Sequence, residues 1–254
     1  MKKMNYKKEI LISEKKLRTK TILSFIVFII FLLASFYSWK WLNKQPTEAG
    51  ALKPLRTVLD YNQTFFSNFL SDVHLAKTYP LSEAAPRVRL NGSIGMGNDF
   101  DPATWKLQVV KTPGDTLFVT LDDIKALPKT DIIFDFKCIE GWSQVTHWAG
   151  VKFSDFAAKY NLNAQTQLKY ASLVTPDKKY YVGIDMPSLL HPQTILCYEM
   201  NGQPLPMNQG YPLRLIIPVK YGIKHLKRIN TITFSNDRPP DYWYERGYDY
   251  FSGL

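Results

Sequence analysis

The sequence predicts a single α+β domain with mixed sheets, preceded by one N-terminal transmembrane helix. Three observations predict this fold class. Strand-like runs outnumber helical ones in the second half of the chain, strands and helices do not alternate regularly, and an uncharged run of nineteen residues lies near the N-terminus. The irregular order of elements argues against a doubly wound nucleotide-binding fold. No G-x-G-x-x-G or P-loop motif occurs in the 254 residues.

The uncharged run extends from Thr21 to Trp39 and reads TILSFIVFIIFLLASFYSW. As a helix that rises ~1.5 Å per residue it would span roughly 28 Å, close to the hydrocarbon thickness of a bilayer. Tyr37, Trp39 and Trp41 lie at its far end, where amphipathic rings favour the membrane interface. A cleaved signal peptide has a shorter apolar region and a small-x-small cleavage site. We therefore expect an uncleaved anchor.

The charges that flank this run predict its orientation. Eight basic side chains precede the run, and Lys40 and Lys44 follow it closely. The positive-inside tendency then places the N-terminus in the cytoplasm and the domain on the periplasmic or outer side of the cell (inner) membrane. We expect four segments: a basic cytoplasmic segment over 1–20, a transmembrane anchor over 21–42, a linker over 43–55 and a folded domain over 56–254.

The net charge of +10 is unevenly distributed along the chain. The first twenty residues hold eight basic and two acidic side chains, which leaves only +4 on the other 234 residues. A nucleic-acid-binding domain needs clustered cations on its folded part, so we expect no nucleic-acid partner. The two cysteines exclude a disulfide-rich scaffold and a multi-cysteine zinc or iron–sulfur site.

The folded domain is predicted to be rich in strands. Alternating or continuous apolar runs, bounded by turn residues, are typical of half-buried and buried strands. These runs predict strands over Trp105–Val110, Leu117–Thr120, Ile132–Ile139, Gln167–Thr175, Tyr180–Ile184, Thr194–Met200, Leu213–Val219 and Ile229–Phe234.

Two short helices and one glycine loop complete the predicted elements. Thr120 and Asp123 have the spacing of a capping box, which predicts a helix that ends before Pro128. The stretch Phe153–Tyr160 carries its apolar side chains on one helical stripe. The glycines of NGSIGMGND, residues 91–99, are not followed by a helical pattern and predict a loop.

Cys138 is the first candidate for chemistry. It lies at the end of the predicted strand IIFDFKCI and is followed by Glu140, Gly141 and Trp142. A cysteine at a strand end, close to a loop, is well placed as a nucleophile or as a soft-metal ligand. Two alternatives remain at this point: a buried, inert thiol, or a disulfide with Cys197, which lies in the apolar strand ILCYEM.

Other residues give no independent site from their spacing. The four histidines, His74, His147, His191 and His225, show no H-x-x-x-H or H-E-x-x-H spacing for zinc. No G-x-S-x-G nucleophile elbow is present. A hydrolase with a histidine-activated nucleophile is therefore not supported by the motifs.

Two long stretches resemble the sulfite-oxidase-like molybdopterin oxidoreductases. The first reads FKCIEGWSQVTHWAGVKFSDF and the second LHPQTILCYEMNGQPLPMNQGYPLRLIIPVKYGIKHLKRINTITF. The resemblance extends from about Asn62 to the C-terminus, and its motifs occur in the expected order. It implies the mixed-sheet molybdopterin-binding fold of that family and a molybdenum-molybdopterin (Mo) cofactor. The aromatic tail is similar to the single-domain branch, which includes periplasmic protein-methionine-sulfoxide reductases.

The resemblance implies roles for individual residues. Cys138 matches the family's molybdenum ligand, and a soft thiolate suits a sulfur-rich metal centre. Arg214 matches an arginine that reaches the pterin phosphate, for which a bidentate guanidinium is well shaped. With Cys138, the residues Glu140 and Trp142 are the predicted catalytic residues, and His147 is a further candidate for lining the pocket. The other predicted cofactor contacts are Asn62, Phe65, Phe66, Thr175, Gln209, His225, Leu226 and Lys227.

The resemblance implies two-electron oxygen-atom transfer, most simply the reduction of an S-oxide or N-oxide. The chain shows no second redox site, so electrons are expected from a redox partner, and the resemblance to the single-domain branch implies that this partner is a heme-containing membrane protein. A sulfite-type oxidase of the same family is one alternative. The sulfite-oxidising branch carries a Gly-Asn-Arg-type run after its cysteine, whereas this chain has Glu140 nearby, and a carboxylate disfavours a dianionic substrate. A cofactor-free binding module on the same fold is the other alternative.

The N-terminus departs from the family in one respect. Relatives of this kind acquire the pterin in the cytoplasm and cross the membrane folded, with a twin-arginine signal. This chain has Lys15-Lys16-Leu17-Arg18 and no adjacent arginine pair near its N-terminus. The sequence therefore does not identify the export route. The outer side of the membrane is still the expected location of the domain.

Overall fold

The structure is a computed structural model that describes residues 13–67, 74–97 and 100–254, without the side chains of Gln63, Phe66 and Ser67. Most of the predicted basic segment, residues 1–12, lies outside the described residues. The chain forms two compact units, one of Met1–Thr47 with Leu52–Pro54 and one of Glu48–Ala51 with Leu55–Leu254.

The chain contains six helices and twelve strands in its described parts. The helices are α1 Glu14–Leu42, α2 Lys53–Ser67, α3 Leu121–Lys125, α4 Phe153–Lys159, α5 Asn163–Thr166 and α6 Met186–Leu189. The strands are β1 Thr47–Glu48, β2 Ala51–Leu52, β3 Leu107–Thr112, β4 Asp115–Val119, β5 Lys129–Lys137, β6 Ser143–Lys152, β7 Tyr170–Val174, β8 Tyr181–Asp185, β9 Ile195–Met200, β10 Gln203–Pro204, β11 Arg214–Ile216 and β12 Thr231–Ser235.

Helix α1 covers the uncharged run and extends it at both ends. It has 29 residues, none of them buried, and it is long and apolar enough to cross a membrane. A signal sequence near the N-terminus would meet the same criteria of length and composition. The structure thus confirms a single apolar helix as a candidate membrane span in its described residues.

Two five-stranded sheets form the second unit. In the first sheet the order is β10-β9-β6-β5, with β11 also paired to β9, and all its pairs are antiparallel. In the second sheet the order is β4-β3-β12-β7-β8, and β12 pairs in parallel with β3 but antiparallel with β7. This arrangement confirms the predicted α+β class with mixed sheets.

Strands β5 and β6 form the hairpin that carries the site. Along β5, Ile132, Phe134 and Phe136 are buried while their neighbours are more exposed, which is the predicted alternation. Strand β6 lies between β5 and β9 and is buried on both faces over most of its length. Gly150 permits this close packing, because a Cβ atom there would overlap the carbonyl oxygen of Leu196.

The apolar core is divided into two clusters. The larger one joins the second sheet to α4 and to parts of β6 and β9. The smaller one lies under the β5–β6 hairpin and contains both cysteines, Cys138 and Cys197, together with Trp148 and Ile216. Both thiols are free, so the disulfide alternative is not what the structure shows.

Several predicted boundaries need correction. Helix α2 begins at Lys53, inside the predicted linker 43–55. Strand β11 ends at Ile216 rather than at Val219, because Pro218 has no N–H to donate to a neighbouring strand. Strand β6 was not predicted, since its middle has no alternation of apolar and polar residues. The strand predicted over Gln167–Thr175 begins only at Tyr170.

Two predicted local structures are confirmed. Thr120 and Asp123 form a reciprocal capping box at the start of α3. The glycine segment is irregular in its described part, and Gly92 and Gly95 adopt positive φ values of 68° and 77°, a region that favours glycine. The loop places Gly92 beside the cavity described next.

Candidate active site

Cys138 is fixed in the tight turn that joins β5 to β6. Its backbone N–H donates to the carbonyl oxygen of Trp142 at 2.9 Å, and its own carbonyl oxygen accepts from the N–H of Gly141 at 3.1 Å. Gly141 has φ +86°, which a side chain would disfavour. The sequence EGW therefore suits a turn that holds the thiol at a defined place at the strand end.

Cys138 lines a partly open cavity of about 100 Å³. The walls come from the glycine loop, the β5–β6 turn, the start of β8, the segment after β11 and the C-terminal tail. The lining residues are Asn91, Gly92, Ile94, Cys138, Ile139, Glu140, Tyr180, Gly222, Ile223, His225, Lys227, Trp243 and Tyr248. Three predicted cofactor contacts, Cys138, His225 and Lys227, thus meet at one cavity.

The surroundings of the thiol are partly apolar and partly charged. Burial raises the pKa of Cys138, and the nearby Glu140 carboxylate raises it as well, while the Glu140 backbone N–H and Arg89 act in the opposite direction. The indole N–H of Trp142 donates to the Glu140 carboxylate at 3.0 Å. Trp142 itself lies outside the cavity lining, stacked on Phe136 with ring centroids 5.9 Å apart. Trp142 therefore orients Glu140.

Arg214 is completely buried and only partly satisfied. One end of its guanidinium, Nη1, donates to the backbone oxygen and to the side-chain oxygen Oε1 of Gln209, at 3.1 and 3.0 Å. Its guanidinium carbon lies 4.4 Å from the ring centre of Trp148. The other two donor atoms, Nε and Nη2, are buried and have no partner in the described part of the chain.

Lys227 is a second buried cation in this region. Its Nζ donates to the carbonyl oxygen of Gly92, on the glycine loop. Burial and, as the second cause, the positive charge of Arg214 together lower the pKa of Lys227 to about 7. Burial also lowers the pKa of Arg214, to about 10. The two cations thus raise the free energy of each other's charged state.

Two other buried lysines near Lys227, Lys220 and Lys224, are each neutralised by an ion pair with an aspartate. Lys220 lies 2.9 Å from a carboxylate oxygen of Asp185, and Lys224 lies 2.5 Å from a carboxylate oxygen of Asp241. Among residues 13–67, 74–97 and 100–254, no carboxylate forms an ion pair with Arg214 or Lys227. A buried cation without a counter-ion is costly, so this pair of cations is suited to an anionic ligand.

His225 lies between the cavity and the backbone. Its Nε2 lies 2.8 Å from the carbonyl oxygen of Ile217 and 3.2 Å from that of Lys220, and its Nδ1 is buried without a partner. Burial lowers the pKa of His225 to about 3, with Arg214 as the next cause, so the imidazole is neutral at pH 7. Leu226, the next residue, has its side chain in the larger core cluster.

The other predicted site residues lie further from the cavity. Thr175 is buried and donates to the Asp177 carboxylate at 2.7 Å, and its backbone N–H donates to Tyr180, which does line the cavity. On α2, Asn62 is half-buried and Phe65 is 59% exposed, and neither lines the cavity. The side chain of Phe66 lies outside the described residues. These predicted cofactor contacts stay predictions.

Gln209 and His147 hold positions that the sequence did not specify. Gln209 donates through Nε2 to the carbonyl oxygen of Val88 at 3.2 Å and accepts from Arg214 through Oε1, so it positions that arginine. His147 lies 2.7 Å from Asp131, on the strands β5 and β6, and does not line the cavity.

Sequence reasoning missed four polar or aromatic side chains of the cavity wall, besides three isoleucines. The four are Asn91, Tyr180, Trp243 and Tyr248. Trp243 and Tyr248 belong to the C-terminal aromatic tail. The tail is held against strand β8, about sixty residues earlier in the chain, by a hydrogen bond from the N–H of Tyr242 to the carbonyl oxygen of Tyr181. The dense run of aromatics after Pro240 was the only signal in the sequence for this wall.

The residues present fit a molybdopterin cofactor. The described residues contain no cluster of three or more His, Cys, Asp or Glu side chains that could hold a metal ion, so a metal at this cavity would need most of its ligands from a cofactor, and Cys138 offers the soft ligand in the cavity wall. The orphaned atoms Nε and Nη2 of Arg214, together with the unpaired Lys227, fit a phosphate group. A phosphorylated organic cofactor that supplies most of the metal's ligands needs only one further ligand from the protein and a binding site for its phosphate. Cys138 offers the first, and Arg214 with Lys227 offers the second.

A comparison with protein families decides the relationship. Residues 94–243, more than half of the chain, match the model described as the oxidoreductase molybdopterin binding domain. The chain belongs to this family. It is therefore a molybdopterin-binding oxidoreductase, and the predicted fold, enzyme class and cofactor are confirmed.

Curated relatives of this oxidoreductase include two named as methionine sulfoxide reductases. The chain is 36% identical over 181 residues to the putative protein-methionine-sulfoxide reductase subunit YedZ1 of Azospira oryzae, covering 70% of this chain and 68% of that protein. It is 27% identical to the protein-methionine-sulfoxide reductase catalytic subunit MsrP of Campylobacter jejuni, covering 59% of this chain and 56% of that protein. Among solved structures, the sulfane dehydrogenase SoxCD of Paracoccus pantotrophus is 18% identical, with a TM-score of 0.49 over 65% of this chain and 46% of that one.

Proposed function

We propose that this molybdopterin-binding oxidoreductase is a membrane-anchored reductase that removes the oxygen atom from S-oxides, with methionine sulfoxide as the first candidate substrate. The names of the two curated relatives support this substrate class. The observation that carries the proposal is the single thiol of Cys138 at a cavity whose wall also holds Lys227, an unpaired cation.

Cys138 would bind the molybdenum, and Arg214 and Lys227 would bind the pterin phosphate. The bound cofactor supplies two-electron oxygen-atom transfer. The protein's own contribution is to fix these groups: the β5–β6 turn holds the thiol, Gln209 holds one end of Arg214, and the glycine loop accepts a hydrogen bond from Lys227. In this way the binding groups are held by hydrogen bonds before the cofactor enters.

The remaining cavity wall favours a neutral substrate over sulfite. Ile94, Ile139 and Ile223 give it an apolar surface, and Trp243 and Tyr248 add aromatic rings. A thioether or sulfoxide with its alkyl groups can bury apolar area against such a wall. The Glu140 carboxylate, oriented by Trp142, repels a dianion at the same place.

The proposed organisation follows the segments predicted from the sequence. A basic cytoplasmic segment would cover 1–20 and the anchor 21–42. The linker would end before Lys53, where α2 begins, instead of at residue 55, and the catalytic domain would follow on the outer side of the membrane. The apolar length of α1 supports the anchor. The described residues contain no cluster that could hold a second metal ion, and the resemblance to the single-domain branch supports a heme-containing membrane partner as the source of electrons.

The direct test is turnover of the full-length, cofactor-loaded protein in detergent. With a reduced artificial electron donor, methionine sulfoxide should be reduced, and sulfite with an oxidised acceptor should give little or no activity. Glu140→Gln serves as a matched variant, because it keeps the side-chain volume but removes the charge that opposes sulfite. Faster oxidation of sulfite than reduction of sulfoxide by the wild type would replace the proposal with a sulfite-type oxidase.

A further inference from the structure

The short segment Glu48–Ala51, which we call the strap, belongs to the same compact unit as the C-terminal tail and packs directly on it. Gly50 has φ +76°, and a Cβ atom there would lie 2.5 Å from the backbone nitrogen of Gly247. Gly247 has φ +95°, and its own Cβ atom would lie 2.8 Å from the carbonyl oxygen of Gly50. Cβ atoms do not approach backbone atoms so closely, so the two backbones can meet here because both residues are glycine.

Gly247 belongs to a loop that forms part of the cavity wall. We call residues 243–248 the wall loop, because its first and last residues, Trp243 and Tyr248, both line the cavity of Cys138. Their rings pack edge to face with centroids 5.0 Å apart, and the N–H of Tyr248 donates to the carbonyl oxygen of Trp243 at 3.0 Å. The wall loop therefore carries its two cavity residues as one unit.

Arg56, on helix α2, bonds the strap to the wall loop. The residue is 1% exposed, and its Nη2 donates to the carbonyl oxygen of Ala49 at 2.6 Å and to that of Tyr244 at 2.9 Å. Its Nη1 donates to the carbonyl oxygen of Tyr248 at 2.9 Å. The guanidinium carbon also lies 4.1 Å from the centre of the Tyr244 ring. One planar guanidinium thus fixes the strap and two points of the wall loop relative to each other.

The first residues of the wall loop are anchored independently of Arg56. A carboxylate oxygen of Asp241 accepts from the N–H groups of Trp243 and Tyr244, at 3.1 and 3.0 Å. The same carboxylate pairs with the buried Lys224. Loss of the Arg56 side chain would therefore release the wall loop from the strap while the loop stays attached to the domain through Asp241.

We propose that Arg56 is a positioning residue of the cavity wall: by holding the wall loop against the strap, it keeps Trp243 and Tyr248 at the cavity and limits access to Cys138. Arg56 and the strap precede residues 94–243, which match the family model, so the family match does not account for them. This role depends only on the cavity and its wall. It therefore goes beyond the proposed function and is independent of the substrate.

The first test compares the two thiols in the full-length protein, purified in detergent from a host that does not make molybdopterin. Iodoacetamide labels both cysteines at one fixed pH, and mass spectrometry gives the labelling rate of each. Cys138 lines the cavity, whereas Cys197 is completely buried in the same core cluster. Cys197 therefore reports any general opening of the fold, and release of the wall loop should accelerate the labelling of Cys138 alone.

Two variants disturb the contact in different ways. Arg56→Gln removes the guanidinium, and an amide is too short to reach both the strap and the wall loop. Gly50→Ala leaves the guanidinium in place and forces the two backbones apart. We expect each variant to raise the labelling rate of Cys138 roughly 10-fold, which corresponds to the loss of one charge-assisted hydrogen bond, and to leave the rate of Cys197 unchanged.

Asp60→Asn is the matched control. Asp60 lies one turn further along α2 than Arg56 and pairs with Arg238 at 2.9 Å rather than with the wall loop, so both labelling rates should stay at their wild-type values. A rise confined to Cys138 in either test variant supports the inference. Equal acceleration of both thiols would show that the variants only loosen the fold, and an unchanged rate of Cys138 in both variants would show that Arg56 does not control access. Either of these results would overturn it.

Turnover of the cofactor-loaded enzyme gives a second readout that a merely structural residue would not change. Arg56→Gln should raise the KM for methionine sulfoxide about 3- to 10-fold, because the substrate loses contact with the aromatic wall, and kcat and the molybdenum content should stay within about 2-fold of wild type. A lower molybdenum content at an unchanged KM would contradict a role in the wall. If the wild type reduced no sulfoxide at all, the proposed function would fail, and the labelling rates would still decide the role of Arg56.

Discussion

The side-chain oxygen of Gln209 accepts a hydrogen bond from one end of the Arg214 guanidinium at 3.0 Å, and the other end has no partner among the described residues. Within the core of the domain, this contact fixes the arginine without neutralising it. A glutamate at the same place would form a buried ion pair and compete with an anionic ligand for the guanidinium.

Gln209→Glu should therefore weaken cofactor binding and stabilise the cofactor-free protein. We expect roughly 10-fold weaker retention of the cofactor, which corresponds to about 1.4 kcal/mol, together with a higher melting temperature without cofactor. Cofactor content and thermal unfolding measure the two effects. Gln209→Met is the control, because it removes the hydrogen bond without adding a charge; equal behaviour of the two variants would contradict the electrostatic explanation.

Lys227 and Lys224 should respond to substitution in opposite ways. Lys227 is buried and has no carboxylate partner in the described part of the chain, whereas Lys224 pairs with Asp241 at 2.5 Å. Lys227→Met should raise the free energy of unfolding of the cofactor-free protein by about 1 kcal/mol, and Lys224→Met should lower it by about 3–5 kcal/mol because Asp241 is left unpaired. Denaturant unfolding at pH 7 checks both, and a loss of stability in Lys227→Met would show that its charge is already compensated.

The stability of the cofactor-free protein should depend on pH through Lys227. Its pKa lies at about 7 in the fold, against an ordinary value of 10.5, because burial disfavours the charged form. Between these values the unfolded chain binds more protons than the folded one, so the free energy of unfolding rises with pH, by at most about 1.4 kcal/mol per pH unit. The wild-type protein should show this rise more strongly than Lys227→Met, and parallel pH profiles would refute the assignment to Lys227.

Local patterns made much of the fold predictable. The alternation in β5 and the capping box of α3 are short-range signals, and both elements occur as expected. Strand β6 gave no such signal. It lies between β5 and β9 and is buried on both faces, so successive side chains are all in contact with the protein interior and the sequence does not alternate between apolar and polar residues.

The candidate site was predictable only in part. Cys138, His225 and Lys227 were predicted from motifs that occur in the family's order, and the fold brings all three to one cavity. The resemblance did not reveal that Gln209 positions Arg214, nor that Trp243 and Tyr248 close the cavity from the C-terminal tail. These relationships depend on long-range packing, which no local spacing encodes.

The central claim is that Cys138 binds molybdenum in a molybdopterin site. The most direct measurement is elemental analysis of the full-length protein from a cofactor-competent host, beside Cys138→Ser and Cys197→Ala. Cys197 is a matched control because it is also a free, buried thiol of the same core cluster, with its pKa raised to about 12 by burial. We predict about one molybdenum per chain in the wild type and in Cys197→Ala. Because the cofactor supplies the other ligands, Cys138→Ser should show either less molybdenum or molybdenum with one sulfur ligand fewer in its X-ray absorption spectrum. Wild-type protein without molybdenum, or an unchanged metal content with an unchanged number of sulfur ligands in Cys138→Ser, would contradict the claim.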